Sequence, residues 1–129
     1  MTIKGNTTTQ ADGIIYIKNP APFETLFVSI TNSIFSENTN LKGFGGIYIE
    51  TTGFQILTTL YVEGSIISNN IATQGAAIFL NEVKLSEDSY IRLTTFNGND
   101  VERFGSVLLW FVSGIMTIEN NTFENNTGE

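Results

Sequence analysis

The 129-residue chain contains no cysteine and no histidine. Without cysteine it has no disulfide framework, no thiolate metal site and no sulfur nucleophile. Without histidine it lacks the commonest general base and the commonest metal ligand. Basic residues are scarce: six Lys and Arg stand against thirteen Asp and Glu, for a net charge of −7. They never cluster, which argues against nucleic acid or anionic lipid as a partner. The longest apolar run, Val107 to Val112, falls far short of the ~20 residues of a membrane helix and reads as a buried strand. No membrane insertion and no cofactor is expected. The polar, Thr-rich start at Met1 does not read as a secretion signal, so a secreted parent would carry its signal outside these residues. Strong helix formers are thin, whereas Val, Ile, Thr, Phe and Tyr abound.

What the chain does have is an internal echo. An apolar anchor is followed three residues later by Asn, five times over: Ile3/Asn6, Phe35/Asn38, Ile67/Asn70, Phe96/Asn99 and Phe123/Asn126. The anchors are 32, 32, 29 and 27 residues apart. A glycine motif trails each of the first four Asn residues, beginning at Gly13, Gly45, Gly75 and Gly105. Two motifs recurring in phase at such a period mark a solenoid, in which similar units stack.

Aligned on the anchors, the preceding segments alternate with period two, as half-buried strands do. One column is wholly apolar: Ile30, Val62, Ile91, Ile118. Its neighbours are polar or amphipathic, Ser29/Tyr61/Tyr90/Thr117 on one side and Thr31/Glu63/Arg92/Glu119 on the other. The second of these places opposite charges on adjacent rungs. About three short strands per unit are expected: one before the anchor, one after the glycine motif, and one between units, such as that starting at Gln55. The fold class is therefore all-β, a parallel β-helix of about four coils of 27–32 residues. It forms one repeat domain over 1–129, with coils at 3–34, 35–66, 67–95 and 96–122 and a further coil beginning at 123–129. Phe35, Ile67, Phe96 and Phe123 form a stacked core ladder. Asn38, Asn70, Asn99 and Asn126 form an amide ladder at a bend, where Asn tolerates a left-handed backbone. The glycines serve a tight corner or a close backbone approach. An antiparallel sandwich explains the alternation but not the in-phase recurrence.

The pairing of a GGA-I-like motif with FxxN resembles the repeats of polymorphic outer membrane proteins and related protist surface proteins. These belong to the right-handed, pectin-lyase-like β-helix class. The resemblance covers nearly the whole chain. Three FxxN copies are literal, at Phe35, Phe96 and Phe123, while Ile replaces Phe at 3 and 67. The closest approaches to GGA-I are Gly45-Gly46-Ile47 and Gly75-Ala76-Ala77-Ile78. The resemblance implies a right-handed coil and a surface-displayed, often adhesive protein.

Catalytic candidates are sparse. A glycan-cleaving β-helix needs converging carboxylates, or a carboxylate-bound Ca²⁺ beside a basic residue. Glu87-Asp88 is the one adjacent acidic pair, and Asp100, Glu102 and Arg103 could make a small polar site. Both read more simply as solvated loops. The glycine motifs lack the Lys and helix of a phosphate loop. Tyr61 and Tyr90 face outward as a sugar-stacking strip or as ordinary contacts between rungs. Sequons begin at Asn6, Asn120 and Asn125. Asn6 belongs to the inward ladder, Asn120 is ambiguous, and Asn125 shares an outward column, making Asn125 and then Asn120 the glycosylation candidates.

No polar cap is visible at either end, although solenoids normally carry one. The expected partners are neighbouring β-helix coils or other copies of the chain, with glycans as candidate ligands. The expected role is a non-catalytic structural or adhesive module, extracellular or at a cell surface, with copies stacking head to tail into a fibre. The enzyme-class alternative is a β-helix that binds or cleaves polysaccharide.

Overall fold

The computed structural model describes residues 1–9, 13–19, 25–51, 56–105 and 107–128, with the side chains at 104 and 108–111 left aside. The described residues form strands and no helix. Their order repeats. The first turn holds β1 (Thr2–Lys4), β2 (Thr7–Thr8), β3 (Ile15–Asn19) and β4 (Leu26–Thr31). The second holds β5 (Ile34–Ser36), β6 (Thr39–Phe44), β7 (Ile47–Thr51) and β8 (Leu57–Glu63). The third holds β9 (Ile66–Ser68), β10 (Ile71–Gln74), β11 (Ile78–Leu85) and β12 (Tyr90–Arg92). Then come β13 (Thr95–Asn97), β14 (Asp100–Phe104), β15 (Leu108–Gly114) and β16 (Thr117–Glu119), followed by β17 (Thr122–Glu124).

Among the described residues every strand pairing is parallel and joins successive turns, and all but that of β11 with β8 join equivalent strands. One sheet runs β1-β5-β9-β13-β17, a second β2-β6-β10-β14. The third joins β3-β7-β11-β15 to β4-β8-β12-β16, because the long β11 pairs with both β7 and β8. The chain is a parallel β-solenoid. Its turns number about three, slightly fewer than the four coils expected. Five anchor rungs are present, but the outermost have a neighbour on one side only, so the closed interior is shorter than the ladder.

Each turn carries four short strands rather than three. The segment leading to the anchor breaks at a left-handed residue: Asn32, Gly64, Leu93 or Asn120, with φ of 46°, 58°, 51° and 53°. The anchor then starts a strand of its own. The strand expected from Gln55 begins, within the described residues, at Leu57, and runs on to Glu63. Turn lengths differ at several places: β6 and β14 carry two and one more residues than β10 between equivalent positions, and the turn from Leu85 to Tyr90 is two residues longer than that from Gly114 to Thr117. In the third turn β11 pairs along β7 and then with Leu57 and Thr58 at the start of β8, and it is kinked by a bulge at Glu82 with φ of 56°.

The anchors and the Ile30/Val62/Ile91 column fill the interior with Ile47, Ile49, Ile78 and Leu80. Phe35, Ile67 and Phe96 are buried, but Phe123, at the end of its column, stays 49% exposed. Gly75 and Gly105 adopt the left-handed backbone, with φ of 54° and 69°. A Cβ on Gly45 would lie 1.5 Å from the Gly75 carbonyl oxygen. The glycine column thus serves both the corner and the close approach expected of it. A second apolar layer lies on the outside of the third sheet. There Tyr48 and Phe79 are buried beneath Phe44, whose ring stacks on Phe79 at 4.1 Å.

Candidate functional site

The asparagine ladder is the most regular polar structure in the molecule. Each Asn side-chain amide donates to the Oδ1 of the next rung: Asn6 to Asn38 at 3.0 Å, Asn38 to Asn70 at 3.0 Å, Asn70 to Asn99 at 3.0 Å and Asn99 to Asn126 at 2.9 Å. The main-chain N–H of each donates to the same Oδ1, at 3.0–3.2 Å. The other amide hydrogen points backwards. Those of Asn38, Asn70, Asn99 and Asn126 reach the carbonyls of Ile3, Phe35, Ile67 and Phe96. Asn6 has no preceding rung and donates to Lys4 of its own strand instead. The ladder is therefore polar along its length, with donors facing the Asn126 end and acceptors the Asn6 end.

The left-handed residue at this bend is not the ladder Asn. It is the residue before it: Gly5, Glu37, Asn69, Gly98 and Asn125, with φ between 52° and 68°. This corrects the expectation drawn from asparagine's backbone tolerance. The ladder Asn is selected for an amide that both donates and accepts in a dry corner.

A second ladder of the same polarity escaped the sequence reading. Ser33 N–H donates to Ser65 Oγ at 3.2 Å, and Thr94 N–H to Asn121 Oδ1 at 2.9 Å. Ser, Ser, Thr and Asn differ enough to hide a column whose shared trait is a short side-chain oxygen.

Glu63, Tyr61, Tyr90 and Arg92 are brought together on the outer face. Tyr61 and Tyr90 stack at 4.4 Å with planes 12° apart, and the Arg92 guanidinium lies 4.3 Å from the Tyr90 ring centre. Phe27 meets Tyr61 edge-on at 5.1 Å. The Tyr90 ring thus carries both Tyr61 and the Arg92 guanidinium against it. The strip makes contacts between rungs, from Phe27 through Tyr61 to Tyr90.

Arg92 pairs with Glu63 at 3.1 Å, and Tyr90 OH donates to the same carboxylate at 3.1 Å. The hydrogen bond from Arg92 holds the Glu63 carboxyl below its ordinary value of 4.5, against a smaller opposing effect of desolvation. A hydrogen bond from Tyr16 does the same for Glu50, helped by Lys18 at 3.3 Å. A carboxyl depressed on folding adds stability above its unfolded pKa and loses it as pH falls through the folded value. The melting temperature of Glu63→Gln should therefore lie below that of the parent at pH 6, and the gap should close as pH drops below 4.5. Parallel melting curves from pH 6 to pH 3 would show that this pair contributes no stability.

The acidic candidates do not form one site. Glu87 and Asp88 are exposed on a turn beside an open cleft of about 380 Å³ with Leu57, Leu85 and Ile115. Asp100 and Glu102 line a separate shallow groove of about 280 Å³ on β14, with Leu41 and Ile71 exposed beside them. Asp100 accepts a hydrogen bond from Thr127, and Arg103 is exposed. Among the described residues no three acidic side chains converge to hold a metal ion.

Of the sequons, the Asn6 amide is engaged in the ladder. Asn120 is exposed, as is Asn125, whose amide reaches Asn97 Oδ1 at 3.2 Å. No protein-family model, no curated protein and no solved structure matches the chain.

Proposed function

We propose that the chain is a non-catalytic structural or adhesive β-solenoid module of an extracellular or cell-surface assembly, built on repeats like those of polymorphic outer membrane proteins. The observation that carries this reading is the polar asparagine ladder. It gives the solenoid a donor end and an acceptor end, so further rungs add in one direction, and copies join head to tail into a fibre. Stacked rungs supply length and stiffness, and the outer columns present an acidic, hydroxyl-rich face with Asn120 and Asn125 as glycan acceptors. A solution of the chain at micromolar concentration should contain filaments under the electron microscope. Monodisperse short particles at every concentration would remove the fibre.

One observation favours a second reading. Asp100 and Glu102 share a groove with two exposed aliphatic residues, which suits a polysaccharide. The structural reading expects no turnover of an acidic polysaccharide. Turnover that disappears in Asp100→Ala/Glu102→Ala would replace it with a glycan-cleaving one.

A further inference from the structure

The second sheet changes register around one residue. On β6, three residues (Leu41, Lys42 and Gly43) lie between the partners of Ala72 and Gln74. On β14, two residues, Glu102 and Arg103, lie between them. On β10, which runs between these strands, there is one, Thr73. The extra residues cannot stay in the ladder, so both neighbours of β10 bulge. Leu41 and Lys42 on one side, and Glu102 and Arg103 on the other, are exposed. The β6 bulge is held from beneath by Asn40, which is 1% exposed. Its Oδ1 accepts from the N–H groups of Lys42 and Gly43 at 3.2 and 3.1 Å, and its Nδ2 donates to the Phe44 carbonyl at 2.7 Å.

The result is a groove with β10 as its floor. Two hollows of about 280 and 90 Å³ share Thr73 and together run from Ile71 to Gln74. The strands that form the walls are two strand spacings apart, ~9.6 Å between backbones. That width admits one extended chain and excludes a helix, whose diameter with side chains is ~10–12 Å.

The lining describes what fits there. Ile71 and Leu41 leave 47% and 60% of their surface in solvent. Asp100 and Glu102 line the Ile71 end, and Lys42 lines the Gln74 end. The ion pairs among the described residues join Lys4 to Glu37, Lys18 to Glu50 and Arg92 to Glu63, and engage none of these three groove charges. The described lining of the larger hollow has no aromatic ring on which a sugar could stack. An acidic glycan would also meet two carboxylates of a chain with net charge −7. A polypeptide can offer what the groove asks for, aliphatic bulk with a cation on one side and an anion on the other.

We propose that the β10 groove docks an extended peptide segment of a partner protein. The segment sets an aliphatic side chain against Leu41 and Ile71, a basic one toward Asp100 and Glu102, and an acidic one toward Lys42. The inference rests on the adhesive reading above, whose ligand class it names, and is independent of fibre formation. The acidic surface of the chain steers the basic end of the segment, and the opposed charges fix its direction in the groove.

Two labelled peptides test this by fluorescence anisotropy, Gly-Lys-Ser-Leu-Ser-Glu-Gly and Gly-Glu-Ser-Leu-Ser-Lys-Gly. The full chain is titrated into each up to about 1 mM, the weak end of measurable affinity. One order should bind, and the other at least about tenfold more weakly. Ile71→Ser should weaken the better peptide by about tenfold, through the lost apolar contact. Lys42→Glu/Asp100→Lys/Glu102→Lys should reverse the preferred order, a change that a folding defect would not produce. Glu102→Lys alone should remove most of the preference if the triple variant does not fold. Binding that ignores these substitutions places the peptide elsewhere and overturns the inference. Dimerisation of the parent that Ile71→Ser abolishes assigns the groove to a second copy and overturns it too. If neither peptide binds and no polysaccharide is turned over, the inference falls and the adhesive reading stands. If neither binds and turnover is lost in Asp100→Ala/Glu102→Ala, both fall.

Discussion

Replacing Phe96 with Ala should lower the stability of the solenoid by about 3–5 kcal/mol, the range for removing a large buried aromatic side chain. Phe96 is 0% exposed. Its ring lies 5.1 Å from that of Phe123 with the planes 4° apart, and its Cα pairs with Ile67 on the opposite rung. Truncation leaves a hole between rungs that the flanking backbone cannot close, because the hydrogen bonds of β9, β13 and β17 set the rung spacing. Phe123→Ala should cost less than half as much, since Phe123 is 49% exposed at the end of the column. Urea unfolding of the two variants beside the parent measures both. Equal losses would show that the column does not distinguish interior rungs from end rungs. An unchanged midpoint for Phe96→Ala would show that the anchor column is not the core.

Removing the Asn70 amide should be comparably damaging although it deletes no apolar surface. Asn70 is 1% exposed. Its Oδ1 accepts from the main chain and the side chain of Asn38, and its Nδ2 donates to the Phe35 carbonyl and to Asn99 Oδ1. Asn70→Ala strands several of these groups away from water, at roughly 1–3 kcal/mol each, so a total loss of about 3 kcal/mol or more is expected. Asn70→Asp distinguishes the ladder from simple packing. The carboxylate still accepts from Asn38 but sets an acceptor against the Phe35 carbonyl and Asn99 Oδ1. Burial and these neighbours raise the folded pKa of the new carboxyl, so its protonated form folds better and stability is lost as pH rises through that value. The pH dependence of Asn70→Asp should thus be opposite in sign to that of the Glu63 pair. Thermal melts from pH 3 to pH 7 read it, and a variant as stable as the parent at neutral pH would show that the ladder amides are dispensable.

The two polar ladders together explain how a chain without disulfides holds a corner. In each, a side-chain oxygen accepts from the main-chain N–H of the rung before. The bends leave backbone groups that the flanking strands do not pair, and the ladders supply partners from within the chain. They also align the bends of successive turns, so that the anchors stay in one column.

The residues that were legible are those for which every rung imposes the same demand. An anchor at 35, 67 or 96 must fill the same interior, and the Asn three residues later must both donate and accept. Positions whose demand many residue types can meet were not legible. The left-handed column holds Gly, Glu and Asn, and the break before the anchors holds Asn, Gly and Leu. Ser33, Ser65, Thr94 and Asn121 share an oxygen but little else. Tyr48 and Phe79 sit on the outward side of their strands and are nonetheless buried, because Phe44 folds over them.

By itself the sequence determined an all-β chain of stacked parallel turns with an apolar anchor column and an asparagine ladder. Side-chain periodicity and in-phase recurrence have that common cause, since each rung repeats the environment of the last. Tertiary structure alone decided which residue of each bend turns left-handed and that Arg92 reaches back to Glu63. Those features depend on how neighbouring rungs meet in space, where distances between chain segments 27–35 residues apart, and not local preference, select the outcome.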